Sequence, residues 1–474
     1  MTRRRDFRQT KIVCTLGPAS ASPECIEALA RAGMNVARLN MSHGNHESHR
    51  QVIRHIQNLN PQLNHPVAIL IDLQGPAIRT GERHGQLDLK VGQVLSITVA
   101  PIEDPEAKSI HVDYQDMVHQ LNIGDRVTVD NGLINLEVLD TGEHELRCRV
   151  LDGGTLGSRK HINLPGVRVN LPSISGQDRE DIRFALEQDA DFLALSFVRN
   201  AEALSDARQV IDDAGGHHIR LIAKIENQEG LDNLEEITAA ADGIMVARGD
   251  LGVEVEFAEL PVAQRNMVRQ CAVAGKPVIL ATHLLESMID SPMPTRAEVT
   301  DVATAVDEQV DAVMLSGETA TGKYPVRCVE VLDRIARRIE KADNLEFYKY
   351  RKPVSLRDHL ARSACRLADS LRAPAVVVIT RRGVLGQLVS SFRPQTAIVY
   401  AFTNSPAAHR QLWLCHSVVP FRMDLSDDPD DTIAAAFQRL RSHDRLEPGD
   451  PVVVVSDVAA GSRTVTAIQV RNVE

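Results

Sequence analysis

"RLIAKIEN", residues 220–227, is the stretch on which the fold turns. Leu221, Ile222, Ala223 and Ile225 are core residues, yet Lys224 and Glu226 stand among them. Residues two apart in a strand share a face, so Ile222, Lys224 and Glu226 point the same way. The segment reads as a strand buried on both faces whose inward side ends in one cation and one anion. Parallel barrel strands carry their chemistry at such carboxyl ends.

Seven more apolar runs surround it. "KIVCTLG" starts at Lys11, "VARLN" at Val36, "VAILID" at Val67, "FLALSFV" at Phe192, "IMVARGD" at Ile244, "PVILAT" at Pro277 and "AVMLS" at Ala312. They are near-continuous rather than alternating, as in parallel strands covered on both faces. The intervals are helical in pattern. Ser22–Pro23 is a cap followed by proline at the first helical position, with Gly33 as the stop. Val299, Val302, Ala303, Val306 and Val310 make one apolar stripe. Eight strands alternating with helices predict a closed (β/α)₈ barrel.

One interval breaks the alternation. Residues 76–170 contain "LDLKVGQVLSITV" and "DRVTVDNGLINLEVLD", whose β-branched content and Asn-Gly turn predict an inserted all-β domain. The barrel is then discontinuous, over 1–75 and 171–342. A charged stretch, "KADNLEFYKYRKP", precedes a third region, 343–474, with strands "AVVVIT", "TAIVYAF" and "VVVVSD". It reads as a C-terminal α/β domain serving packing, oligomerisation or regulation.

Composition narrows the class. The formal net charge of −11 argues against a nucleic-acid partner. No apolar stretch is long enough for a membrane span, and no signal-peptide core follows the basic start. Seven scattered cysteines, without metal or redox spacing, fit a reducing cytoplasm.

The strand ends turn polar. They supply Arg38, Asn40 and Ser42; Asp72; Lys224 and Glu226; Arg248, Gly249 and Asp250; Thr282; and Ser316, Gly317 and Glu318. Glu226 and Asp250 are hard oxygen ligands suited to Mg²⁺. Arg38 and Lys224 can neutralise phosphoryl oxygens. Metal, cations and little covalent machinery fit phosphoryl transfer, where positioning and electrostatics dominate.

At these residues the chain resembles the pyruvate kinase family. The blocks are "TKIVCTLGPAS", "MNVARLNMSHG", "LIAKIEN", "IMVARGDLGVE", "LLESMIDSPMPTRAEVTDVATAV" and "DAVMLSGETATGKYP". The resemblance implies phosphoryl transfer from phosphoenolpyruvate to ADP, the last step of glycolysis, in a cytoplasmic homotetramer using Mg²⁺ or Mn²⁺. It makes Lys224, Arg38 and Thr282 catalytic. Substrate would be bound by Arg38, Lys224, Gly249, Asp250 and Thr282, and the divalent metal by Glu226 and Asp250. Asn40, His43, Arg79 and Lys160 fall at nucleotide positions, with the inserted domain as a lid. A K⁺ site would use Asn40, Ser42, Asp72 and the carbonyl of Leu73. Many relatives have threonine, lysine and glutamate where this chain has Leu73, Gln74 and Ala77, which predicts weak or absent K⁺ dependence. The family's sugar-phosphate effector loop corresponds to Thr380, Arg381, Arg382 and Gly383, without the usual hydroxyls.

Two motifs read as decoys. "GETATGKY" from Gly317 approaches a P-loop but has Tyr324 where Mg²⁺ needs Ser or Thr. His43, His46 and His49 read as solvated residues at a helix start rather than a metal site. Two rival readings are a metal-dependent barrel lyase or aldolase acting on the same substrates, and a non-catalytic metabolite sensor. Lys160, Arg79 and the insertion disfavour the first; the complete Lys224, Glu226, Asp250 and Thr282 set disfavours the second.

Overall fold

The computed structural model describes residues 7–474 except 64, 84, 101–108, 343–344 and 461–462. Strands Lys11–Thr15, Val36–Asn40, Ala68–Asp72, Phe192–Leu195, Arg220–Ile225, Gly243–Ala247, Val278–Ala281 and Ala312–Leu315 close into a parallel barrel in sequential order. These are the eight apolar runs. One set of side chains packs inside the barrel, among them Val13, Leu70, Phe192, Ala194, Ile222 and Met314. The opposite set meets the surrounding helices. Ile222 is therefore inward, and Lys224 stacks above it toward the mouth.

The helices start where the side chains can cap them. Ser22 accepts from the Cys25 N–H, and Gly33 ends that helix at φ 126°. Helix Arg296–Asp307 begins with a Thr295/Glu298 capping box. Its buried stripe is Val302, Ala305 and Val306, which differs from the predicted one. Val299 is exposed, and Val310 lies beyond the helix end, past Gln309 at φ 60°. The predicted stripe ran the helical period through a turn that interrupts it.

Between the third and fourth barrel strands the chain builds a seven-stranded, mainly antiparallel sheet with its own apolar core. The turn after strand Arg126–Val129 places Asp130, Asn131 and Gly132 all at positive φ. Asp, Asn and Gly tolerate that region best. The C-terminal sheet has five strands, in the order Val418–Arg422, Ile398–Thr403, Ala375–Ile379, Pro451–Ala460, Arg463–Asn472. The first and last were not read from sequence. Val418–Arg422 contains Pro420, which signals against a strand but is tolerated at the sheet edge it occupies.

The C-terminal region closes the barrel floor. Leu414 packs with the barrel interior. Arg410 binds Asp191 at 2.7 Å, Gln411 donates to the carbonyls of Asp191 and His218, and Arg220 donates to Gln387 at 2.6 Å. Lys11 is buried here, its Nζ donating to the Val418 carbonyl at 2.7 Å between the rings of Phe7 and Trp413. Burial, helped by nearby Arg8, lowers its pKa to about 7. Its unfolded value is near 10.4. From pH 7 to about 10 the unfolded chain thus holds a proton that the folded chain lacks, so stability rises with pH across that window. We expect the wild-type denaturation midpoint to gain on that of Lys11→Met as pH goes from 7 to 9.5. A constant difference between the two would show that Lys11 titrates normally.

All seven cysteines are free. Among the described residues no helix is long and apolar enough to cross a membrane.

Candidate active site

Barrel register brings the polar strand ends together. Asn40 pairs with Asp72, Asp72 with Ala194, and Ala194 with Ile222, so the second to fourth strands end nearly level and Lys224 stands two residues further along the fifth. Arg38 Nε lies 2.6 Å from Asp72 Oδ2, and its Nη1 donates to Thr15 Oγ1 at 2.8 Å. Lys224 Nζ has three partners: Ser196 Oγ at 2.7 Å, Glu226 Oε1 at 2.9 Å and Asp72 Oδ1 at 3.2 Å. Glu226 Oε2 accepts the Phe197 N–H at 2.7 Å.

The two buried carboxylates behave oppositely. Burial would raise Asp72, but Lys224 and Arg38 overcome it and hold the group below the usual range. Burial raises Glu226 to about 7, with Asp250 adding to the effect while Lys224 opposes it. Asp72 is thus a fixed counter-ion for two cations. Glu226 is a strained anion that gains from a further positive charge. Lys224 is held above the ordinary lysine value, because Asp72 and Glu226 outweigh its own burial; it is an ammonium throughout the neutral range.

Asp250 lies in the first turn of helix Arg248–Glu254, half-buried, with its charge felt by His161, Lys224 and Glu226. Glu226 Oε1, although near Lys224 Nζ, makes no well-directed hydrogen bond. One buried acceptor without a directed donor and a second carboxylate close enough to raise its pKa suit a hard divalent cation. No group of three or more His, Cys, Asp or Glu side chains is placed to hold a metal among the described residues. A cation here would complete its shell with water and substrate oxygens, as Mg²⁺ commonly does.

Thr282 and His283 both adopt positive φ, 68° and 54°. The Thr282 hydroxyl accepts the Gly249 N–H and donates to the Ala281 carbonyl, each at 2.7 Å. Gly249 and Thr282 therefore form one unit. Arg248 is not a free cation at the mouth. It grips Asp301 with both Nη atoms and donates to the Thr282 carbonyl at 2.6 Å, fixing that turn. Glu318 is likewise internal, accepting the N–H groups of Leu285 and Ser316. Two of the polar strand ends thus build the rim.

The remaining sequence-predicted residues lie around this cluster. Ser42 and His43 are exposed on the loop after the second strand, where Asn40 Oδ1 accepts the Ser42 N–H at 3.1 Å. The Leu73 carbonyl accepts from Ser196 Oγ at 2.8 Å. Arg79 ends a short strand of the inserted sheet, and Lys160 directly precedes the strand His161–Asn163 that pairs with it. Lys160 pairs with Asp130 at 2.8 Å, and Arg79 donates to the Arg159 carbonyl. Neither touches the Lys224 cluster. Thr380, Arg381 and Arg382 line a cavity of about 410 Å³ in the C-terminal region, with Arg357, Ser426 and Thr432. Gly383, at φ 78°, opens the helix that follows.

Of the histidine triplet only His43 is solvated. His46 binds Asp181 at 2.6 Å and stacks on Phe184, while His49 is buried against the His43 carbonyl. The helix start was read correctly and its solvation was not. The P-loop-like segment forms a short helix, Gly317–Ala320, with Lys323 exposed and paired to Asp290.

Sequence reading missed Ser196 and Phe197. The signal for Ser196 was present. Phe192 and Ala194 point inward, so Ser196 continues the same face. Its uncharged side chain drew no notice.

Comparison with known proteins gives one answer. The family profile described as pyruvate kinase, barrel domain, matches residues 7–329, and that of the pyruvate kinase alpha/beta domain matches 358–470. A pyruvate kinase of Geobacillus stearothermophilus is 41% identical over 461 residues, covering 96% of this chain and 78% of that protein. One from Dictyostelium discoideum is 39% identical over 469 residues, covering 96% and 92%. The crystal structure of a pyruvate kinase from Cryptosporidium parvum superimposes with a TM-score of 0.94 at 37% identity, covering 100% of this chain and 98% of that one. Both profiles match in order, and the relatives match along nearly the whole length. This chain therefore belongs to the pyruvate kinase family and is a phosphotransferase.

Proposed function

We propose that this enzyme transfers the phosphoryl group of phosphoenolpyruvate to ADP, giving ATP and pyruvate. The observation that carries this reading is the Lys224 ammonium seated between two buried carboxylates at the barrel mouth, 2.9 Å from Glu226 and 3.2 Å from Asp72. Arg38 and Lys224 are the two cations in position to face an incoming phosphate. As the bond between phosphorus and the enol oxygen breaks and one to an ADP oxygen forms, charge on the equatorial oxygens is what they stabilise. The enolate left behind takes a proton at its methylene carbon. Thr282, fixed by Gly249 and Ala281, orients the substrate and the water that supplies the proton; an ordinary hydroxyl is too weak an acid to supply it alone.

Glu226 and Asp250 are the residues that would hold Mg²⁺ or Mn²⁺, which supplies charge neutralisation between substrate oxygens when bound. Lys160 and Arg79, on the inserted domain, would meet the nucleotide, with Asn40 and His43 opposite. That domain would then act as a lid excluding water. The Arg381–Arg382 cavity fits an anionic effector such as a sugar phosphate. A cytoplasmic homotetramer acting in glycolysis completes the proposal. K⁺ dependence should be weak. The Asp72 charge is already matched by Arg38 and Lys224, and Ala77 adds none.

Steady-state assays test this together. Pyruvate should form only when ADP is present, and replacing K⁺ by a size-matched inert cation should change the rate little. Pyruvate release without ADP would support a lyase, and absence of turnover under all conditions a sensor. Strong K⁺ activation would overturn the reading of Asp72 and Ala77.

A further inference from the structure

Phe197 occupies a peculiar position. It is a non-glycine residue at φ 54°, in the left-handed region that side chains with a Cβ disfavour. Strain of this kind persists only where the surroundings over-determine it. Here they do. On one side Ser196 Oγ is held by Lys224 Nζ at 2.7 Å; on the other the Val198 N–H donates to the Lys224 carbonyl at 3.3 Å. Between these clips the Phe197 N–H is aimed at Glu226 Oε2, 2.7 Å away.

The ring of the same residue faces the inserted domain. It packs on His161 with centroids 5.3 Å apart and planes tilted by 47°. His161 follows Lys160 and pairs through its backbone with Arg79, so it moves with the residues proposed to meet the nucleotide. Other contacts anchor the base of that domain independently. Asn163 donates to Glu254 at 2.8 Å, and Arg199 donates to the carbonyls of Val169 and Leu171. A cavity of about 110 Å³, lined by His161, Asn163, Phe197, Arg199 and Glu254 among others, gives the two rings room to repack.

We propose that Phe197 and His161 are a positioning pair: the ring contact holds the strained turn in place, and the turn aims its N–H at Glu226, so that the seating of the inserted domain sets the orientation of a metal-binding carboxylate. The inference rests on Glu226 being a metal ligand. Its reverse follows by linkage: a cation that fixes Glu226 also favours the seated lid.

Mn²⁺ binding to the full enzyme, followed by the paramagnetic resonance of free Mn²⁺ without substrate or nucleotide, tests this apart from turnover. His161→Ala and Phe197→Leu should each weaken Mn²⁺ binding about 3–10-fold, the scale of one aromatic contact. His161→Phe, which keeps a ring, should bind within about twofold of wild type on that same scale. Glu226→Gln serves as the reference and should lose tight binding. Wild-type affinity in His161→Ala and Phe197→Leu, with binding lost in Glu226→Gln, would overturn the pair while leaving the metal assignment intact. Failure of His161→Phe to restore affinity would also overturn it, since the ring contact would then not be the cause. Undiminished binding in Glu226→Gln would remove the metal assignment itself.

Discussion

Lys224→Met should lose turnover by at least 10²–10³-fold, on the order of one preorganised electrostatic contact, while still binding phosphoenolpyruvate. Methionine fits the space of the lysine stem and keeps the packing above Ile222. It removes the charge that approaches Glu226, Asp72 and Ser196. Arg38 remains to meet the substrate phosphate, so ground-state binding measured by calorimetry should change far less than kcat. An interaction made chiefly in the transition state gives this split. Near-normal turnover would take Lys224 out of the reaction.

Asp72→Asn should be the most destabilising polar substitution in the barrel. Asp72 is fully buried and takes Arg38 at 2.6 Å and Lys224 at 3.2 Å. Asparagine fits the space but leaves Arg38 buried without its counter-ion and Lys224 with Glu226 alone, a loss of roughly 3–5 kcal/mol. The pH dependence has a definite sign. The pKa of Asp72 is depressed in the folded state, so its contribution is complete above the unfolded value near 3.9 and is lost as pH falls through the depressed folded value. The gap between wild type and variant in thermal unfolding should be full at pH 7 and narrow only below about pH 4. If Asp72 served mainly as a K⁺ ligand, the variant would instead keep its stability and lose a response to K⁺.

The barrel was legible because burial on both faces leaves continuous apolar runs, and all eight were present. The inward alternation of Ile222 and Lys224 even placed the chief cation. What could not be read was the choice of partners. Arg38 and Arg248 are both cations at strand ends, yet one faces the site beside Asp72 and the other is held by Asp301. Register and turn geometry decide between them, and neither appears in the order of residues. Glu318 is a similar case: a charged end that satisfies backbone N–H groups in its own loop. Phe197 was invisible for another reason. What it aims at Glu226 is a backbone N–H, which every residue type but proline carries; only the positive φ shows where it is aimed. In the C-terminal sheet, Pro420 hid a strand that its edge position allows.

We propose that Glu226 and Asp250 hold a divalent cation beside the Lys224 ammonium. Anomalous diffraction from crystals soaked in Mn²⁺ tests it most directly. The account predicts one strong peak at the barrel mouth, about 2.0–2.2 Å from oxygens of both carboxylates, as hard small cations bind. A peak elsewhere in the molecule, with those two carboxylates bare, would contradict it.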